Sequence, residues 1–472
     1  MGVWLTVVSM CLVAACASAP PPNILFIVID TLRADRLDWY DTNRQLTPFL
    51  ASLAAHGNVF WNAYAASSWT SPSMASLWTS RYQSQHRVTV FSSVLADTER
   101  SLPAILREHG YITGGFSANS LLSAQLGFGQ GFDEYQVYLK DTTTPHGMFD
   151  KEPAEHLNAD SLAWLDTLPT GQGAQPVFLY LQYMEPHMPY FAPQSSVEHI
   201  FTRRPNHVQE QAMLTQMLFV DRTLWQHPQG LALDVVGALY DAEVLTIDER
   251  LRELFAQLEA RHFLKHALVV ITADHGEELM DHGDMAHGKT LYNEVTHVPL
   301  LFVLPGQSGR ADIHEVVSLL DIAPTVLDLA RIASPTSFEG RSLRPAMHRA
   351  RQWTGVVSFV EALFHKTVDR VPAAYSELLR RADSKVPPAH TRSVVVGSHK
   401  LVVDARGVAT FYDLDTDRGE QRAAVLTEGD RHALEEVMAT IAERAARHHS
   451  PARTAPIDEQ TRERMRALGY AD

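Results

Sequence analysis

Four short stretches of this sequence carry side chains able to do chemistry. The first, NILFIVID over Asn23–Asp30, is an unbroken β-rich apolar run that ends in a carboxylate. A buried parallel strand reads this way, and Asp30 at its C-terminal end stands where open α/β sheets place their sites. Asp30 taken alone reads equally well as the cap of a following helix. The second, SWTSPSMASLWTSRY over Ser68–Tyr82, puts Thr70 two residues before Pro72, where Ser71–Leu77 has the character of a helix start. An N-cap is one reading of Thr70. The other is a hydroxyl in the positive field of a helix N-terminus, suited to attack on an anionic ester. The third, ALVVITADHG, is again a strand-like run, and it delivers Asp274 and His275 side by side, ahead of Glu277, Glu278, Asp281, His282, Asp284 and His287. Adjacent carboxylate and imidazole at a strand end are divalent-metal ligands by type; Glu277 and Glu278 read as helix-surface acids. The fourth, YMEPHMPY over Tyr183–Tyr190, follows the run VFLYLQ and holds Glu185 and His187 between prolines, where a proton donor would be placed.

These residues need a scaffold that brings several strand ends together. Strands are expected at Asn23–Asp30, Val177–Gln182, Ala267–Thr272 and Pro299–Val303. Helical periodicity falls between them, at Pro48–His56, Ser101–His109, Ala154–Leu168, Gly237–Ala260 and Ser318–Ala333. Strands alternating with helices predict an α/β fold, a mostly parallel central sheet sandwiched by helices. After about Arg370 the texture changes. Thr391–Val403 and Val408–Leu414 read as antiparallel strands around an Ala405-Arg406-Gly407 turn, and Asp430–His448 as a charged helix. The expected units are therefore residues 1–22, a catalytic domain over 23–370 and a small antiparallel subdomain with a terminal helix over 371–472.

Composition narrows the class. The chain has 472 residues, a formal net charge of −15 and no long basic run, which argues against nucleic-acid binding. Its two cysteines, Cys11 and Cys16, both lie near the N-terminus, so the folded body has no disulfide framework, no Cys-ligated metal and no thiol nucleophile. Residues 1–22, MGVWLTVVSMCLVAACASAPPP, have an export-signal pattern too short for a spanning helix. Val13-Ala14-Ala15-Cys16 resembles a bacterial lipobox, which would lipidate Cys16 and anchor an exported domain to the cell envelope. Cleavage after Ala17-Ser18-Ala19, giving a periplasmic or extracellular protein, is the alternative.

Seven segments occur in one order: Asp30 after its strand, TSPSMASLWTSR at 70–81, EPHMPY at 185–190, TADHGEE at 272–278, TLYNEVTHVPLLF at 290–302, SLLDIAPTVLDLA at 318–330 and FYDLDTDRGEQ at 411–421. Together they resemble the sulfatase family of the alkaline phosphatase superfamily, from about Asn23 to Gln421. The resemblance implies a metal-dependent ester hydrolase with an anionic ester substrate. By motif, Asp30, Asp274 and His275, with Thr70, match the ligands of one divalent ion (Ca or Mg, alternatively Zn or Mn). Thr70 matches the nucleophile. His187 matches a group acting on the substrate anion or the leaving group, joined there by Lys289 or His287. The departures are specific. Where the family carries Cys or Ser destined for formylglycine, this chain has Thr70, which cannot be oxidised to that aldehyde. Met74 replaces an Arg, Thr31 replaces the second Asp of an Asp pair, and Gly114–Asn119 replaces a Gly-Lys-Trp-His segment. Lys289 lies slightly out of register, with His287 as the alternative. A Thr nucleophile is similar to that of the superfamily's phosphodiesterases and phosphoethanolamine transferases. The expectation is therefore hydrolysis or transfer of a phosphate or phosphonate ester. The alternatives are a sulfatase working without formylglycine, and a surface-anchored binding protein that has lost activity.

Overall fold

A computed structural model describes residues 20–138, 153–169, 171, 174–188, 190–202, 233–348, 358–363, 390–404, 406–447 and 450–456. Cys16, its lipobox and the expected boundary at 370/371 lie outside the described residues. Among the described residues, no helix is long and apolar enough to cross a membrane.

The apolar runs become the centre of one large sheet. β1 (Asn23–Ile29) is buried at every position after its first and lies between β5 (Val177–Tyr183) and β6 (Ala267–Thr272), parallel to both. β3 (Ile112–Ser117) adds in parallel to β5, and β4 (Glu134–Val137) to β3. On the other side β9 (His297–Val303) pairs antiparallel with both β6 and β2 (Asn58–Tyr64), and β10 (Ala311–Ser318) lies parallel to β2. The order is β10-β2-β9-β6-β1-β5-β3-β4. The four strands expected from sequence are β1, β5, β6 and β9. β2, β3, β4 and β10 are additions: each is interrupted by Gly, Asn, His or charged residues, so the apolar run that marks a central strand is missing.

Helices cover the sheet close to their expected positions, at Pro48–Ala54, Leu102–Glu108, Ala154–Thr167, Leu233–Ala260 and Ile322–Leu329. All ten residues of the helix Thr70–Thr79 are buried, and Trp78 near its end packs edge-on against Tyr180 of β5 at 4.8 Å. Burial on both sides fixes the helix, and with it Thr70, against the sheet.

The C-terminal sheet consists of β11 (Ser358–Leu363), β12 (His390–Val396), β13 (His399–Val403) and β14 (Ala409–Asp413), antiparallel throughout. The single strand expected over Thr391–Val403 is thus a hairpin. Gly397, at φ +58°, starts the two-residue turn that reverses the chain, a conformation glycine adopts without the Cβ penalty. The helix Glu428–Arg447 lays Leu434 and Met438 on Val394, Leu401 and Phe411 of this sheet. A two-stranded hairpin, β7 (Glu278–Leu279) with β8 (Met285–Ala286), projects beyond β6.

Candidate metal and nucleophile site

The register of the parallel strands assembles the site. Thr272, Val28, Gln182 and Ser117 form one row across β6, β1, β5 and β3. Two residues beyond that row, where the chains leave the sheet, stand Asp274, Asp30 and Asn119, so residues far apart in sequence meet at the carboxyl edge. The helix Thr70–Thr79 brings its N-terminus to the same edge, and Ser73 Oγ ties it there by donating to Asp274 O at 2.6 Å. Its N-cap is Trp69, so Thr70 is the first helical residue and its hydroxyl makes no cap bond. Pro72 is tolerated because the first turn needs no intrahelical N–H donor.

Asp30, Thr70, Asp274 and His275 are all fully buried. Thr70 Oγ1 lies 3.3 Å from His275 Nε2 and 3.5 Å from Asp30 Oδ2. Asp30 Oδ2 also accepts from Asn119 Nδ2 (2.6 Å) and Gln182 Nε2 (3.3 Å), and Asn119 Nδ2 reaches Thr70 Oγ1 at 3.3 Å. Asp274 Oδ1 accepts from the backbone N–H of His275 (3.0 Å) and of Thr31 (3.3 Å). To make the second bond Thr31 takes φ +55°, a left-handed conformation that costs a β-branched residue roughly 1–2 kcal/mol.

The orientation of His275 follows from its other nitrogen. Nδ1 faces the carbonyl of Gly276 at 2.9 Å, which only accepts, so Nδ1 carries the proton and donates. The Nε2 lone pair therefore points at Asp274 Oδ2 (3.5 Å) and Asp30 Oδ1 (3.8 Å). Gly276 itself is required by close approach: a Cβ there would fall 2.0 Å from Glu294 O.

This donor set fits a divalent cation. Asp30 Oδ1 and Asp274 Oδ2 are buried without a hydrogen-bond partner, and with a ring nitrogen of His275 they lie within 4.8 Å of one another. Ligands bound at about 2.1 Å to one ion stand ~3–4 Å apart, and a carbonyl on the far nitrogen is the usual support for a ligating imidazole. Burial, then the charge of Asp274, pushes the Asp30 carboxyl up to about 7. Burial pushes Asp274 to about 6, and burial followed by the charge of His287 brings His275 down to about 4. A cation in the cluster would reverse the carboxylate shifts. Oxygen donors with one imidazole suit Mg, Ca, Mn or Zn.

Of the other expected residues, His187 and His287 are brought beside the cluster. Their rings lie 5.0 Å apart, and that of His287 lies 4.4 Å from His275. Lys289 is directed elsewhere. Its Nζ bonds Asp284 Oδ1 (2.5 Å) and Met285 O (3.2 Å), and its side chain is 39% exposed. Left-handed turns at Ala286 and Gly288 send the side chains of 287 and 289 in different directions. Glu185 serves another purpose, its Oε1 accepting from the amide of Ala154 at the start of the helix Ala154–Thr167. Glu277 and Glu278 are not surface acids: both are fully buried, and they lie on a loop and a short hairpin rather than a helix.

Asn119 and Gln182 escaped the sequence reading. Asn119 stands in the Gly114–Asn119 segment, marked in the sequence only by the missing Lys and His. Its side-chain oxygen accepts from Leu121 N at 2.9 Å, which fixes the amide and turns the NH2 toward Asp30.

An α/β sheet with a metal-ligand cluster and a hydroxyl at its carboxyl edge defines the alkaline-phosphatase-like class. The chain belongs to the sulfatase family, whose sequence model matches residues 22–332. It is 26% identical over 359 residues to arylsulfatase K of Bos taurus, a match spanning 69% of this chain and 65% of the bovine protein. It therefore spans slightly under two thirds of that relative's length. Its fold is similar to phosphonate monoester hydrolase of Agrobacterium radiobacter, with a TM-score of 0.71, 20% identity and coverage of 93% of this chain and 98% of that one. The phosphonate monoester hydrolase of Silicibacter pomeroyi is similar in fold at a TM-score of 0.68 and 20% identity, covering 92% of this chain and 99% of that one. The family is metal-dependent, in keeping with the Asp30, Asp274 and His275 cluster.

Proposed function

We propose that the protein is a metal-dependent hydrolase or transferase acting on phosphate or phosphonate esters through the Thr70 hydroxyl. The observation that carries this reading is the placement of Thr70 Oγ1, a buried hydroxyl within 3.5 Å of Asp30 Oδ2 and 3.3 Å of His275 Nε2. Asp30, Asp274, His275 and Thr70 would hold one divalent ion. When bound, that ion supplies positive charge that draws on the ester oxygens and lowers the pKa of a nearby hydroxyl. Thr70 Oγ1 passes its proton to Asp30 Oδ2 as its bond to phosphorus forms, and the bond from phosphorus to the leaving oxygen breaks. Asn119 Nδ2 supports the oxygen that becomes negative. The departing oxygen takes one proton from the protonated His187–His287 imidazole pair; water or a second alcohol then returns a proton to that pair as it displaces Thr70 from phosphorus, and Thr70 Oγ1 recovers its own from Asp30. A sulfate ester of Thr70 would lack the elimination route that an aldehyde hydrate provides.

Sulfate monoesters are the second reading, favoured by the 26% identity to an arylsulfatase. The test is a panel of p-nitrophenyl sulfate, phosphate, phosphodiester and phosphonate, offered with Ca, Mg, Mn or Zn to a soluble form starting at Pro22. Phosphorus-ester turnover is expected, falling at least ~10³-fold in Thr70→Ala. Sulfate turnover that survives in Thr70→Ala would reject both the substrate class and the nucleophile. Export with lipidation at Cys16 belongs to the same proposal; incorporation of labelled palmitate that is lost in Cys16→Ser would support it.

A further inference from the structure

Glu277 is a buried carboxylate outside the metal cluster, and its two oxygens face two different loops. Oε1 lies 2.7 Å from Nδ1 of His287. Oε2 accepts from the backbone N–H of Met188 (3.3 Å) and the hydroxyl of Tyr190 (3.4 Å). The first oxygen thus serves the segment after β8, and the second serves the loop that carries His187. Tyr190 is held as a neutral donor, because burial, then the charge of Glu277, raises its phenol well above the ordinary value.

The chemistry of these contacts fixes one ring. An ionised carboxylate only accepts, so Nδ1 of His287 must carry a hydrogen to make the 2.7 Å bond. With Nδ1 turned to Glu277, Nε2 on the far side of the ring is directed away from it. The ring meanwhile lies against His275 at 4.4 Å and His187 at 5.0 Å. We propose that Glu277 is a positioning residue: it holds the Nδ1–H of His287, so that Nε2 is the nitrogen presented to the leaving oxygen of the ester and is the one that hands over a proton, and through Met188 and Tyr190 it fixes the His187 loop against the same ring. The leaving-group role rests on the reading of the site given above; the Nδ1–H assignment does not.

The test uses Glu277→Gln, which preserves size and removes the charge, in the metal-loaded protein. The amide oxygen can accept from only one side. The NH2 group must then face either His287 Nδ1–H or the Met188 and Tyr190 donors. Two readouts are taken. One is the ¹⁵N spectrum of histidine-labelled protein, with His287 assigned by its disappearance in His287→Gln. The other is the steady-state kinetics of an aryl and an alkyl phosphonate ester. In the wild type, His287 is expected to show a protonated Nδ1 hydrogen-bonded to a carboxylate. In Glu277→Gln that signature should be replaced by a mixture, kcat should fall about 10–100-fold with a smaller change in KM, and the alkyl ester should suffer more. In the His287→Gln background, Glu277→Gln should add less than a twofold loss, because a residue acting through another has nothing left to act on. The proposal is overturned if Glu277→Gln keeps the Nδ1–H signature and a kcat within twofold, or if the two losses multiply. Should the wild type turn over no phosphorus ester, the functional reading fails, while the spectrum still decides what Glu277 holds.

Discussion

The molecule buries carboxylates in two places and treats them in opposite ways. At the carboxyl edge of the large sheet, Asp30 and Asp274 are fully buried and, among the described residues, neither has a Lys or Arg ion-pair partner. Beside the C-terminal sheet, Glu420 is buried against Lys400, whose Nζ lies 2.8 Å from its Oε1 as an ion-pair contact rather than an aligned hydrogen bond. Lys400 also donates to Leu291 O (2.7 Å) and Asn293 Oδ1 (3.2 Å), while Glu420 Oε2 accepts from Asn293 N at 2.5 Å. One site brings its own counter-charge and closes on itself, joining the C-terminal sheet to the segment around Leu291 and Asn293. The other leaves two oxygens and a lone pair aimed at a common point, an arrangement that fits a cation supplied from outside.

The largest expected effect is at the closed site. Lys400→Met should destabilise the protein by about 3–5 kcal/mol, because it strands a buried carboxylate, whereas Lys400→Met with Glu420→Leu should recover most of that loss. Denaturant melts of the single and double variants check this, and an additive double variant would mean that the pair is not the clamp. Asp30→Asn should do the reverse at the open site. The metal-free variant should melt higher than metal-free wild type, since an unpaired buried charge is removed, while metal affinity falls by more than the roughly 10–100-fold typical of losing an outer partner. Melting with and without chelator, together with metal analysis, reads both changes.

The smallest effect sharpens the contrast through pH. Both acids are raised, so the metal-free folded protein binds more protons than the unfolded chain between the ordinary carboxylate range and about 6 to 7. Its stability should therefore be greatest below that window and decline as pH rises through it. Asp248, Glu278 and Asp321 are raised in the same direction, Asp248 and Glu278 to about 7 and Asp321 to about 6. The diagnostic quantity is thus the difference between metal-loaded and metal-free protein, which should widen from pH 5 to pH 7. A difference independent of pH would remove Asp30 and Asp274 as ligands.

Much of the site was legible because its signals are local. A long apolar run ending in Asp, or in Asp-His, marks both the strand and the side chains at its end, so Asp30, Asp274 and His275, which the fold brings together, could be named as candidates from sequence. Thr70 was legible for a similar reason: Pro72 marks a helix start, and the start puts the hydroxyl at the positive end. Asn119 was not, because it is one amide among many, and its meaning arises only when Ser117 pairs with Gln182 and Gln182 with Val28. Glu277 was misread as a surface acid because a run of Asp, His and Glu has helix-surface composition, and only the fold shows the chain turning inward there. His287 and Lys289 illustrate the same limit. They stand two residues apart with similar chemistry, and the left-handed turns around Gly288 decide which one meets His275.

The sequence by itself therefore determined the kinds of candidate side chains, carboxylates, an imidazole and a hydroxyl, and the strands and helix that carry them, because propensity and apolar patterning act over a few residues. The tertiary structure alone decided which of those groups share a site, which oxygens are left without partners and which histidine is turned inward. Those outcomes depend on strand register and on close approach between segments hundreds of residues apart, and no local pattern encodes them.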